Sequence, residues 1–253
     1  MITLFDHPLS PYAQKVRIAL REKGVPFEAA LPGGLGAGGA AGAFIEANPR
    51  AEVPALVDGE VKVFDSTIIL EYIEDRFPAP PLLPASPADR ARVRMIEEVM
   101  DTHYEAINWA LGEIDWFRRA EGDQAQALKA TAGRQTAGFL GWLEKQLGDR
   151  TWFNGETFGW GDLCVVPYVA ASASMGFRAA EGSKVAAWLG RCLARPSVRE
   201  TVDEARNFSR EGSGVAEAVA AGLFKREYRD HRLEWMMKSG GVDIVLKGLE
   251  AGN

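Results

Sequence analysis

The sequence predicts a two-domain protein: a small α/β domain followed by an all-α domain. Three observations carry this prediction. The first 80 residues alternate short strand and helix signals. Residues 78–87, PAPPLLPASP, hold five prolines in ten positions, the composition of a stiff linker at a domain boundary. Beyond them apolar residues recur at steps of three and four, the period of amphipathic helices, and no strand signal returns.

In chain order, ITLF (2–5) reads as a strand, and PYAQKVRIALREKG (11–24) as a helix opened by Pro11 and stopped by Gly24. VPFEAAL (25–31) reads as a second strand. VPALVDGEVKVFD (53–65) is the clearest local signal, two β-prone runs flanking Asp58-Gly59, the dipeptide of a tight hairpin. STIILEYIEDRF (66–77) is then a helix with Ser66 as its candidate cap. A helix between the first two strands implies a parallel pair, and the hairpin adds an antiparallel strand to the same sheet.

In the second half, Val93, Ile96, Met100, Tyr104, Ile107, Leu111 and Ile114 form one face of a long helix. Leu128, Ala132, Thr136, Phe139, Leu143 and Leu147 form a second face. LCVVPYVAASASMGF (163–177) is apolar nearly all round and reads as a central buried helix, with Pro167 kinking it or lying in its first turn. Residues 184–195 and 196–205 continue the helical pattern.

Composition narrows the function classes. With 253 residues, 47% hydrophobic and 25% charged, the chain has the balance of an ordinary globular protein, long enough for two cores. Its net charge of -6 argues against a general nucleic-acid binder, which needs clustered Lys and Arg. No apolar run approaches about 18 residues, so no membrane span is expected. The start, MITLFDHPLS, lacks the basic end and apolar core of a signal peptide. Cys164 and Cys192 are far apart and form no CxxC, which fits buried thiols in a reducing compartment. A cytoplasmic location follows as the expectation. His7, His103 and His231 show no metal-ligand spacing, so no metal is expected. KREYRDHRLE (225–234) mixes both charge signs and reads as a solvated helical face.

GGLGAGGAAG (33–42) is a decoy. Gly34, Gly36 and Gly39 satisfy G-x-G-x-x-G, and Asp58 lies about 20 residues on. A dinucleotide site needs a full helix after the glycines. Here AFIEA (43–47) is cut off by Asn48-Pro49, so the segment reads as a surface loop that is mobile without ligand.

The element order, together with three stretches, resembles the glutathione transferase family. SPYAQKVRIALREKGVPFE (10–28) resembles its first helix and second strand. NPRAEVPALVDGEVKVFDSTIILEYIEDRFP (48–78) resembles its glutathione-binding stretch, and TWFNGETFGWGDLCVVPY (151–168) the start of its central helix. The resemblance covers roughly residues 1–205 and is that of a serine-type bacterial member. It implies a thioredoxin-like domain over 1–80, an all-α domain over 88–253 that carries the acceptor site, and a C-terminal extension at 224–253.

The resemblance also implies roles. Val53 would pair its backbone with the cysteinyl part of glutathione, presented by a cis bond to Pro54. Asp65 and Ser66 would hold the γ-glutamyl group, the helix N-terminus attracting its carboxylate. Ser10 would activate the thiol as the catalytic residue and bind glutathione. The alternative role for Ser10 is a helix N-cap. A cysteine there would instead mark thiol-disulfide exchange. Tyr12, inside the first helix beside Ser10, ranks second to it for the activating role. Tyr12, Tyr104 and Trp109 are the expected acceptor-side aromatics, with Trp116 and Phe117 on the same long helix as Tyr104 and Trp109, although ordinary core packing competes for each aromatic of that long helix. Glutathione would be the co-substrate, a small apolar electrophile the second substrate, and the chain a homodimer acting in detoxification. Alternatives are glutathione-dependent ether lysis, as in β-etherases of this fold, and a non-catalytic interaction protein, as in the branch that binds RNA polymerase.

Two departures from the family pattern stand out. No Lys, Arg, His or Gln occurs from 29 to 49, where the glycine end of glutathione is usually anchored, and Arg50 is the nearest substitute. Gly159 stands three residues before Asp162, where a Ser or Thr cap is usual. Asp162 is expected to satisfy backbone donors there as a folding element. The tail, with Trp235, Met236, Met237, Val242, Ile244, Val245 and Leu246, is apolar enough that it is expected to pack on the helical domain.

Overall fold

The computed structural model describes residues 1–35, 39–211, 217, 221, 233 and 239–250. Its first part orders β1 (Ile2–Phe5), α1 (Pro11–Glu22), β2 (Phe27–Ala30), α2 (Ala43–Ala47), β3 (Ala55–Asp58), β4 (Val61–Phe64) and α3 (Ser66–Arg76). The four strands form one sheet in the order β2-β1-β3-β4. β1 runs parallel to β2 and antiparallel to β3, and β3 pairs antiparallel with β4. This is a thioredoxin-like α/β domain.

Strand alternation separates two cores. Ile2, Leu4 and Leu56 are buried with Val16, Ile18 and Leu20 of α1 and with Ile69, Leu70 and Ile73 of α3. Ala55 lies in a smaller cluster with Phe44 and Ala47 of α2 and with Val53, and Phe5, Val57 and Phe64 pack against it. The hairpin turn sits one residue later than the sequence pattern suggests. Asp58 pairs with Val61, so Gly59 and Glu60 form the turn. Gly59 takes φ +60 there, a conformation open to glycine at no steric cost.

The helical part comprises α4 (Pro87–Val99), a π-helical turn (Met100–Tyr104), α5 (Glu105–Asp115), α6 (Gly122–Leu147), α7 (Trp160–Leu163), α8 (Val166–Ser174), α9 (Lys184–Leu193), α10 (Pro196–Glu211) and α11 (Val242–Glu250). The proline-rich stretch ends in a cap: the Ser86 hydroxyl accepts the Asp89 N–H at 3.4 Å, with Pro87 opening α4. All seven residues from Val93 to Ile114 that define the first helical face are buried. The larger core continues through Val93, Ile96, Met100 and Tyr104, so the sheet and the helices share one apolar cluster, while Ile107 and Leu111 lie in a smaller cluster with Ala132 of α6.

Three expectations change. Leu128 is exposed, because the buried face of α6 begins at Ala132 and passes through Thr136, Leu140, Leu143 and Leu147. The central helix is two helices, α7 and α8, and Pro167 lies in the first turn of α8, where its missing N–H costs nothing. The expected packing of the tail is absent from its helical end, since α11 buries none of its side chains. Most of the remaining tail, including Trp235, Met236, Met237 and the charged stretch 225–234, lies outside the described residues except Leu233. Among the described residues no helix is long and apolar enough to cross a membrane.

Candidate functional site

Sheet register gathers the expected binding residues. Phe5 pairs with Ala55, and Ala55 pairs with Phe64. Phe5 also pairs with Ala30 on its other side. The chain therefore leaves β1 toward Ser10, enters β3 from Val53-Pro54, leaves β4 into Asp65-Ser66 and leaves β2 into the glycine-rich loop, all at one end of the sheet. Residues 10, 53 and 65 are distant in sequence but share this end.

Each arrival has a local cause. Ser10 is the N-cap of α1; its hydroxyl oxygen accepts the Ala13 N–H at 3.3 Å and Pro11 opens the helix. The Val53–Pro54 peptide is cis, and the Val53 side chain is buried in the cluster with Phe44. At α3 the expectation is corrected: the cap is Asp65, not Ser66. Asp65 Oδ1 accepts the N–H groups of Thr67 at 3.1 Å and Ile68 at 3.4 Å, and Ser66 is the first helical residue, buried. Asp65 has φ +74, a conformation costing a non-glycine residue about 1–3 kcal/mol and found preferentially at functional sites.

The acceptor-side aromatics separate. Tyr104 is fully buried in the core, its hydroxyl 2.8 Å from Ser172 Oγ and its ring against Phe139, so it has no surface to offer a substrate. Burial pushes its hydroxyl up to about 12. Trp109 is 40% exposed and sits edge-on to Phe117. It lies five residues along from Tyr104, on a different helical face. Tyr12 is half-buried on α1, and its hydroxyl donates to the Asp101 carbonyl at 2.7 Å. Trp116 and Phe117 fall just past α5.

Arg50, the nearest cation to the glycine-rich loop, is taken up locally. Its guanidinium lies 2.6 Å from Glu52. Gly34 approaches Gly39 so closely that a Cβ on it would lie 2.5 Å from the Gly39 carbonyl carbon.

Behind α1 lies a polar cluster that the linear sequence does not announce. Lys15 is 0% exposed, and its ammonium bonds Glu97 Oε1 at 2.7 Å and Asp101 Oδ2 at 2.6 Å. Glu97 Oε1 also accepts from the Thr67 hydroxyl at 2.9 Å, and Oε2 from the Trp160 indole at 2.5 Å. Asp101 Oδ1 accepts from Tyr168 at 2.6 Å. Burial raises the Asp101 carboxyl, Lys15 opposes that rise, and the neighbouring Glu97 adds to it. Burial works against the charged forms of Glu97 and Lys15 too, but their pairing wins, holding Glu97 low and Lys15 high. The available sequence signal was two carboxylates four residues apart, flanking the apolar stripe at Ile96 and Met100.

Asp162 is a folding element. It is fully buried and accepts the N–H groups of Phe153 at 2.8 Å and Gly159 at 3.1 Å, with the Trp188 indole at 2.7 Å. Gly159 stands where Ser or Thr was expected because a Cβ there would lie 2.3 Å from both the Leu82 carbonyl oxygen and Asn154 Nδ2. Among the described residues no cluster of His, Cys, Asp and Glu could hold a metal, and His231 lies outside them.

A thioredoxin-like domain that presents these loops beside a helical domain is the architecture of glutathione transferases. Residues 4–81 match the glutathione S-transferase N-terminal domain family, and residues 115–191 the glutathione S-transferase C-terminal domain family. The chain belongs to the glutathione S-transferase superfamily. It is 30% identical to glutathione S-transferase U28 of Arabidopsis thaliana over 210 residues, covering 80% of this chain and 89% of that protein. It is 31% identical to a stringent starvation protein A homolog of Haemophilus influenzae over 219 residues, covering 81% of this chain and 92% of that protein. Rice GST1 in complex with glutathione superposes with a TM-score of 0.68 at 29% identity, covering 87% of this chain and 96% of that one.

Proposed function

We propose that the protein is a serine-type glutathione transferase that holds glutathione as its thiolate and conjugates it to a small apolar electrophile. The observation that carries this reading is the strand register, which brings Ser10, Val53-Pro54 and Asp65-Ser66 to one end of the sheet. In this reading residues 1–80 hold glutathione, and 88–253 supply the acceptor side and the extension at 224–253. Val53 pairs with the cysteinyl backbone, and Pro54 presents it. The N-terminus of α3 takes the γ-glutamyl carboxylate at Ser66, while Asp65 faces the ammonium. Trp109 and the half-buried ring of Tyr12 are the aromatic surfaces for the electrophile.

Energetics support Ser10 without a general base. A free thiol has a pKa of about 8.5, and lowering it by about two units takes about 2.7 kcal/mol. A hydroxyl hydrogen bond to the anion contributes about 1.5–3 kcal/mol, and the N-terminus of α1 about 0.3–1 kcal/mol. His7, the nearest histidine in sequence, is not needed; its Nδ1 accepts the Leu9 N–H at 3.2 Å.

A homodimer belongs to the same reading. Ile68 of α3 is 56% exposed and Met95 of α4 is 62% exposed. The two helices are joined by the Arg94–Glu71 ion pair. A second reading, a glutathione-transferase-fold interaction protein, is favoured by one observation: Arg50 is paired with Glu52, in a stretch with no other cation for the glycine carboxylate. Calorimetric titration with glutathione, followed by a screen over activated aryl halides and aryl ethers, separates the readings. Binding with conjugation supports a transferase, and ether cleavage points to the lyase alternative. Absence of glutathione binding leaves the interaction protein.

A further inference from the structure

The two helix N-termini of the candidate site share one anchor in the helical half. Helix α1 opens at Ser10 and reaches the anchor through Tyr12 and Lys15. Helix α3 opens at Asp65 and reaches it through Thr67. A single atom, Glu97 Oε1, accepts from Lys15 of α1 at 2.7 Å and from Thr67 of α3 at 2.9 Å. Asp101 takes α1 twice, its carboxylate from Lys15 and its backbone carbonyl from Tyr12. The carboxylates are fixed from behind by Trp160 and Tyr168. Asp101 sits in the π-helical turn Met100–Tyr104, an irregularity often found at functional sites.

A buried ion cluster is a weak stability device, since an apolar replacement of similar volume often serves as well. What it supplies is fixed geometry. We propose that Glu97 and Asp101 are positioning residues that set the separation of the α1 and α3 N-termini, with Tyr12 keying the Ser10 end and Thr67 the Ser66 end. The proposal rests on the glutathione reading above, in which Ser10 meets the sulfur and Ser66 the γ-glutamyl carboxylate of one ligand. The two ends of that ligand then respond to different residues, although neither Thr67 nor Tyr12 is assigned a contact with glutathione.

The test uses the full chain and two readouts, the Kd for glutathione by calorimetry and the pKa of the bound thiol by ultraviolet thiolate absorbance. Thr67→Val removes the hydroxyl but keeps the backbone N–H that caps on Asp65. It is expected to weaken glutathione binding about three- to tenfold and leave the thiol pKa unchanged, and Thr67→Ser is expected to restore wild-type binding. Tyr12→Phe is expected to raise the thiol pKa by about half a unit or more with Kd within about twofold. Wild-type Kd and thiol pKa in both variants would overturn the proposal while the glutathione reading stands. So would equal movement of both readouts in either variant, since general loosening moves them together. If the wild-type chain binds no glutathione, the glutathione reading falls and the proposal with it.

Discussion

The Ser10 hydroxyl oxygen accepts the backbone N–H of Ala13 at 3.3 Å. One lone pair is used, and the hydroxyl proton is left to donate elsewhere. A helix cap and a thiolate donor are therefore compatible in the same side chain.

Ser10→Ala removes both roles. It is expected to lower stability by about 1 kcal/mol, the worth of a cap. It should also raise the pKa of bound glutathione by about one to two units and cut turnover near neutral pH about tenfold or more, with a modest loss of affinity. Ser10→Cys should bring disulfide-exchange activity. Full turnover with an unshifted pH profile in Ser10→Ala would reduce Ser10 to a cap.

Glu52→Gln should free Arg50 from its 2.6 Å ion pair and offer a cation to the glycine carboxylate of glutathione. The expected gain in affinity is about two- to fivefold, the scale of a solvent-exposed charge pair, read by calorimetry. It should fade at high salt. Unchanged or weaker binding would place the glycine end away from Arg50.

Burial raises the Asp162 carboxyl to about 6, despite its bonds from Trp188, Phe153, Gly159 and Asn154. Its unfolded value is about 3.9, so the folded chain holds the proton more tightly. The contribution to stability is full below about pH 4 and is lost as the pH rises through about 6. Asp162→Asn does not titrate. The stability advantage of wild type over this variant should be largest near pH 4 and shrink by about 2–3 kcal/mol by about pH 7. Denaturant unfolding at several pH values measures the gap, and a gap that widens with pH would contradict the prediction.

Ile68→Glu combined with Met95→Glu puts charge on the exposed face of α3 and α4. The wild-type chain is expected to sediment as a dimer and the double variant as a monomer. A wild-type monomer would remove the homodimer from the proposed function.

What was legible in the sequence was local. The β3–β4 hairpin, though not its exact turn residues, the helix stop at Gly24 and the cap at Ser10 depend on neighbours a few positions away. The α3 cap was misplaced by one residue because nothing in the string announces that Asp65 takes a positive φ. The family resemblance implies an acceptor-side Tyr104, but helical spacing reads the same for a core aromatic and a pocket aromatic, and only burial separates them. The partners of Lys15 lie 82 and 86 positions away, beyond any local pattern. Gly159 departs from the Ser or Thr usual at this position, and only the Leu82 carbonyl, 77 positions back in the chain, together with Asn154, shows that a side chain has no room there.

The chain has two cysteines, Cys164 and Cys192, and both are buried. Burial pushes each thiol well above its ordinary pKa, so neither is a ready thiolate. A protein proposed to hold glutathione thus presents no sulfur of its own to oxidised glutathione. With both thiols buried and held in the protonated form, mixed-disulfide formation on the folded chain first requires local opening around α7 or α9.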